Sequence, residues 1–200
     1  MSLCGTAKGF TRDCDYPMTQ GTEQDLVIID YELVKAELAE ATPGIVFDAT
    51  VKSLLTDFTF KTASTRKGFK VECPKNTVRP TSNSVVQNGV VFFTHAVAFP
   101  ISDNLAASDD FVNQWKDKKC VIVVKNSFAN EDGAGKYKIY GLGNGLNLSA
   151  AALDSYANGG SHMLTFTSDE NSPEKFNVYS LFDTDEATTD AIYAALIVAA

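Results

Sequence analysis

Two periodicities organise this chain. Apolar and polar positions alternate between Thr56 and Cys73. Phe58 and Phe60 fall on one face, with Thr59 and Lys61 on the other. Phe69, Val71 and Cys73 share a face, opposed by Lys70 and Glu72. A period of two marks half-buried strands. The pattern predicts strands over Thr56–Ala63 and Gly68–Cys73, joined as a hairpin through Ser64–Lys67. Val90–Pro100 differs. Val91, Phe93, His95, Val97 and Phe99 form one face, and Val90, Phe92, Thr94, Ala96 and Ala98 the other. Both faces are largely apolar, which predicts a strand covered on both sides. Further strands are expected at Asp25–Asp30, Ile45–Val51, Cys120–Lys125, Lys136–Leu142, Leu146–Ser149, Met163–Thr167 and Phe176–Phe182.

The helical period appears in two places. Ser108 has the chemistry of an N-cap, Asp109 and Asp110 suit a first turn, and Phe111, Val112 and Trp115 make an apolar stripe. This predicts a helix over Ser108–Lys119, with the single tryptophan as its packing anchor. Asp183–Ala200 reads as a C-terminal helix with Asp183 and Glu186 at capping-box spacing. Tyr31–Ala41 is either a helical turn or an irregular excursion, ended by Pro43-Gly44. The polar stretch 1–21 reads as an N-terminal arm. Residues 74–88, with two prolines and several Asn and Ser, read as a long loop: either a plain surface loop or an arm touching a neighbouring subunit. The sum is one domain over residues 1–200, mainly β, a curved sheet or sandwich with one flanking helix and a C-terminal helix.

Composition narrows the functions. Hydrophobic residues make up 44% of the 200, enough for a real core. Seventeen basic against 25 acidic residues give a net charge of −8, a poor basis for gripping nucleic acid by its phosphates. Met1–Asp15 lacks the apolar core of a secretory signal, and the longest apolar run, Ala191–Ala200, is about half a membrane span. The expectation is a soluble protein made in the cytoplasm.

The chemical motifs fail one by one. Gly133-Ala134-Gly135-Lys136 is followed by Tyr137 where a phosphate loop needs Ser or Thr. Gly141-Leu142-Gly143-Asn144-Gly145 ends in Leu146 where a dinucleotide fingerprint needs glycine, so a tight turn after a strand is expected. The cluster Glu131-Asp132 is too short for a calcium loop. Cys4, Cys14, Cys73 and Cys120 form no C-x-x-C, and His95 and His162 lie far from them in sequence. No metal and no cofactor are expected. Cys73 and Cys120 are expected to be buried thiols, and Cys4 and Cys14 to lie in the arm. His95 is expected to be a satisfied core or interface residue. A hydrolase using His95 or His162 is the enzymatic alternative, since triads assemble in space. The expectation is no catalysis.

The run Phe92–Phe99, the segment Ser108–Lys119, the strand Cys120–Lys125 and the string Lys136–Leu146 together resemble the tail tube and related tail structural proteins of bacteriophages and prophages, particularly those of hosts related to Bacteroides. The arm carrying Cys4 and Cys14 into Asp25–Tyr31, and the segment Met163–Asp169, are similar to their start and final strands. Type VI secretion and contractile-injection tubes share the general fold. The resemblance implies subunits that close into hexameric rings, inner strands that join as one barrel, and rings that stack into a tube through which DNA passes without specific binding. It also implies tape-measure, terminator and baseplate proteins as partners, a place in the virion tail, and no membrane. Arg79, Pro80, Thr81 and Asn83 are then candidate inter-subunit residues, and Thr59 and Glu72 candidate lumen residues. An acidic lumen would repel DNA. Lys61, Arg66, Lys67 and Lys70 would have to face elsewhere or sit at ring junctions. The other assembly reading is a baseplate, tail-completion or capsid-decoration protein.

Overall fold

Strand formers dominate the order of elements in the computed structural model, which describes residues 21–60, 68–101, 106–127, 129, 132–153 and 161–197. The chain runs β1 (Thr22–Asp30), α1 (Tyr31–Leu38), β2 (Ile45–Phe47), β3 (Leu54–Phe58), β4 (Phe69–Glu72), β5 (Arg79–Gln87) and β6 (Val90–Ile101). It continues with α2 (Ala106–Trp115), β7 (Lys119–Asn126), β8 (Tyr137–Tyr140), β9 (Leu146–Leu153), β10 (His162–Ser168), β11 (Tyr179–Leu181) and α3 (Glu186–Ala195). The fold is mainly β, with a flanking helix and a C-terminal helix. Hydrogen bonding orders the strands β2-β3-β11-β8-β7-β9-β10-β6-β5, with β1 also on β7 and β4 on β1. Every pairing is antiparallel except β11 with β3.

β1 and β7 form the spine. Each carries a continuous apolar run, Leu26–Ile29 and Cys120–Val124, as a strand covered on both faces requires. Leu26, Ile28, Cys120, Ile122 and Val124 point into one core, shared with Val97, Phe99, Leu164, Phe166 and Trp115. Val27, Ile29, Val121 and Val123 point into a second, shared with Val34, Phe58, Ile139, Leu181 and Leu196. The first core lies between the spine and β6–β10, with α2 alongside. The second is closed by α1, β2, β3 and α3. Phe99 and Phe166 stack with ring centroids 5.8 Å apart and planes 7° apart. Each such ring contributes about 1.5–3 kcal/mol by leaving water.

A glycine turn makes the corner between the spine and the outer strands. β8 pairs with Ile122–Lys125 of β7, and β9 takes over the same edge at Lys119 and Cys120 before leaving to pair with β10. Between them the Gly145 N–H donates to Gly141 O at 2.9 Å. Gly141 and Gly145 both have φ of 77°, a left-handed conformation that favours glycine. A Cβ on Gly141 would also lie 2.6 Å from Leu146 Cγ.

The carboxylate of Glu174, fully buried, pins this corner. Its Oε2 accepts from the Gly143 N–H and its Oε1 from the Asn144 N–H, both at 2.9 Å. Successive N–H groups make an anion-binding concavity; here a side chain of the same protein fills it. Burial pushes the Glu174 carboxyl above its ordinary range, opposed by the two amides and by Lys119. His95, also fully buried, holds the other side of the turn. Its Nδ1 accepts from the Gly141 N–H at 3.1 Å, so Nε2 carries the proton and faces Phe176 O and Asn177 O. Burial holds the imidazole below its usual range. The expected satisfied core histidine is what is found.

The structure differs from the sequence reading at several elements. Residues 79–87, expected within a loop, form β5. Asn88 and Gly89, at φ of 51° and 77°, make a tight hairpin turn that brings this polar stretch onto β6 along its whole length. β3 and β4 do not pair: β3 joins β2 and β11, and β4 joins β1. β6 buries His95, Val97 and Phe99 of one face, whereas Val90, Phe92, Thr94, Ala96 and Ala98 of the other stay half-buried or exposed. α2 begins at Ala106, so Ser108 lies inside it, and ends at Trp115. α3 is capped by Asp185, whose side chain accepts from the Thr188 N–H, while the Asp183 N–H binds Thr189 Oγ1. The uncertain segment after β1 is a helix capped by Asp30. Cys73 and Cys120 are buried free thiols as expected. Residues 1–20, with Cys4 and Cys14, and Lys61, Arg66 and Lys67 lie outside the described residues.

Candidate assembly surface

β5, β6, β10 and β9 form a four-stranded antiparallel sheet beyond the corner. Residues directly opposite one another in such a sheet project from the same face. Phe99 and Leu164 are opposite each other, as are Val97 and Phe166, and this face is the wall of the first core. The other face is built in rows. Arg79, Ala98, Thr165 and Ala150 make one row, and Thr81, Ala96, Thr167 and Asn147 the next. The β5–β6 hairpin carries the rows on through Asn83–Thr94, Val85–Phe92 and Gln87–Val90. Every residue in these rows is half-buried or exposed. The face is a shallow surface, mostly Ala, Thr and Asn beside Arg79, and it turns apolar toward the hairpin tip at Val85, Phe92 and Val90.

Among the described residues, both edges of this sheet lack a strand partner. β5 pairs only with β6. β9 pairs with β7 only at Leu146 and Asn147 and, past that point, has β10 alone as its strand neighbour. The hairpin tip is apolar and open: Val86 is 67% exposed, and Val90 and Val91 about as much as Leu153 at the far end of β9. Two bonds tie β5 to the segment before β11. Ser82 Oγ donates to Asn177 O at 2.6 Å, and Gln87 Nε2 to Glu170 O at 2.7 Å.

Charge is what sets this sheet apart. One residue in five of the whole chain is charged, yet these four strands contain no Asp, Glu or Lys. Their single permanent charge is Arg79. Exposed strand edges in monomeric proteins are usually guarded by lysines, prolines or bulges. Here Arg79 and Pro80 guard only the base of β5, and one irregularity lies in β9 between the partners of Thr165 and Phe166. From Thr81 to Gln87 the edge is uncharged.

The sequence-selected residues distribute unevenly. Arg79, Thr81 and Asn83 stand together on the open face of β5, and Pro80 turns toward the core side opposite Val97. Thr59 and Glu72 are not brought together. The Thr59 N–H and hydroxyl both donate to Gly44 O, at 3.0 and 3.2 Å. Glu72 is exposed on β4 and accepts from Lys70, which also pairs with Asp25 at 3.2 Å. The Ala–Thr face escaped sequence reading because small residues carry little hydrophobic signal. The run without charge, Asn144–Leu153, was the available clue.

The remaining chemistry is sparse. His162 Nε2 lies 3.0 Å from Asp109 Oδ1, linking β10 to α2. Lys136 bridges Glu186 and Asp190, both at 2.7 Å, and so fixes α3 to the start of β8. Among the described residues no three His, Cys, Asp or Glu side chains converge as metal ligands, and no helix is long and apolar enough to cross a membrane. Compared with protein families, curated proteins and solved structures, the chain finds no match.

Proposed function

We propose that this protein is a structural subunit that assembles edge to edge with copies of itself into closed rings, as the resemblance to phage tail tube proteins implies. The observation that carries the reading is the four-stranded sheet with two open edges and a single permanent charge, Arg79. Its strand directions suit closure. β5, β6, β10 and β9 alternate in direction, so β5 of one copy meets β9 of the next antiparallel. Repetition gives a continuous antiparallel barrel with no edge left over. The open Ala–Thr–Asn face becomes one wall of that barrel, and the apolar hairpin tip extends beyond the four-stranded belt. Stacked rings of this kind form a tube for DNA.

Negative-stain microscopy of the purified full-length protein at high concentration tests this. Rings or tubes of uniform diameter are expected. Monomers at every concentration would count against the assembly.

A further inference from the structure

We infer that Arg79 forms a phosphate-contacting collar inside the assembled ring. This inference rests on the edge-to-edge assembly proposed above. Arg79 lies opposite Ala98 on β6, in the row that continues through Thr165 and Ala150. Its neighbours in that row are short, so the guanidinium stands above the surface. It is exposed, and among the described residues no carboxylate lies within ion-pairing distance of it. In a protein of net charge −8, Arg79 is the single permanent charge on a face of four strands that is otherwise uncharged.

Closure gives it a role. A ring places one Arg79 from each copy at the same height, spaced around a neutral wall. Guanidinium groups bind phosphate through two parallel N–H donors. A single circle of cations holds a polyanion weakly and with strong salt dependence, while the neutral rows on either side offer nothing to grip. The ligand class is the nucleic acid backbone, contacted without reading the bases. The wall is therefore neutral with one cationic belt. The acidic wall expected from the net charge is not what these strands would line.

The test uses assembled protein and two fluorescent DNAs at low and high salt: a short linear duplex, which can thread a ring, and a closed circular plasmid, which cannot. The wild type should retain the linear duplex at low salt and release it at high salt, and should not retain the circle. Arg79→Ala should assemble normally and lose most of the retention, and Arg79→Lys should keep it. Rings of Arg79→Ala that retain linear DNA as the wild type does, or wild-type rings that retain none at low salt, would overturn the collar and leave the assembly standing. Equal retention of the circle would place binding outside the ring and overturn the collar as well. If no rings form, collar and assembly fall together.

Discussion

The spine and the outer sheet solve opposite problems with the same kind of secondary structure. β1 and β7 are apolar on both faces and are covered on both. Their environment is complete within one chain. The outer sheet packs one face on the core, leaves open a face rich in Ala, Thr and Asn, and carries Arg79 as its single permanent charge. The contrast teaches where to look for function in a protein whose sequence carries no catalytic motif. On the assembly proposed above, the surface poor in charge, in a chain otherwise rich in it, is the one that neighbouring copies cover.

The comparison breaks most severely in the shared core. Phe99→Ala or Phe166→Ala should cost about 3–5 kcal/mol of stability in urea unfolding, because each removes a fully buried, stacked ring. Assembly would be lost only through unfolding. Gly141→Ala comes next. A left-handed φ and a Cβ 2.6 Å from Leu146 together should cost roughly 2 kcal/mol or more and loosen the corner. Hydrogen exchange at β9 would show the loosening as faster opening, with β1 unaffected.

Val86→Lys should do the reverse. The side chain is mostly exposed, so unfolding should change by less than about 0.5 kcal/mol. A lysine on this edge should nevertheless block ring formation. Unaltered rings by microscopy would remove the hairpin from the interface.

The smallest effect sharpens the role of the buried polar pair at the corner. His95 is held below its ordinary value of 6.5 by burial. The unfolded chain therefore takes up this proton first, and the histidine's contribution, complete above 6.5, is lost as pH falls toward the folded value. Glu174 is raised from 4.5, so its contribution has the opposite sign: present below 4.5 and lost as pH rises through the folded value. Stability measured against pH for the wild type and for His95→Gln should differ in slope just below pH 6.5.

Much of the spine was legible from the sequence. Cys120–Lys125 and Asp25–Asp30 each hold an unbroken apolar run, Cys120–Val124 and Leu26–Ile29, a pattern that fits a doubly covered strand. Trp115 and His95 are legible for related reasons: a tryptophan on an apolar helix stripe must be packed, and a histidine inside an apolar strand must be bonded. β5 was not legible. Arg-Pro-Thr-Ser-Asn-Ser has the composition of a loop, and its strand state comes from a partner across the Asn88-Gly89 turn. Local chemistry cannot show that. The β3–β4 hairpin failed for the complementary reason. Both segments alternate properly, but alternation gives the faces of a strand and leaves its neighbours open. Arg79, Thr81 and Asn83, whose surroundings predict a loop, stand on the open face of an edge strand.

Cysteine pairing across copies tests the central claim most directly. Within one copy β5 and β9 are three strand spacings apart, roughly 14 Å at about 4.8 Å each, too far for a disulfide. Thr81→Cys can be combined in turn with Asn147→Cys, Ala150→Cys or Ala152→Cys, in a chain with Cys4→Ser and Cys14→Ser. These three pairings sample the possible registers. The account predicts that at least one yields covalent multimers under mild oxidation and closed covalent rings by microscopy. Monomer bands from all three, with the thiols still reactive toward maleimide, would contradict it.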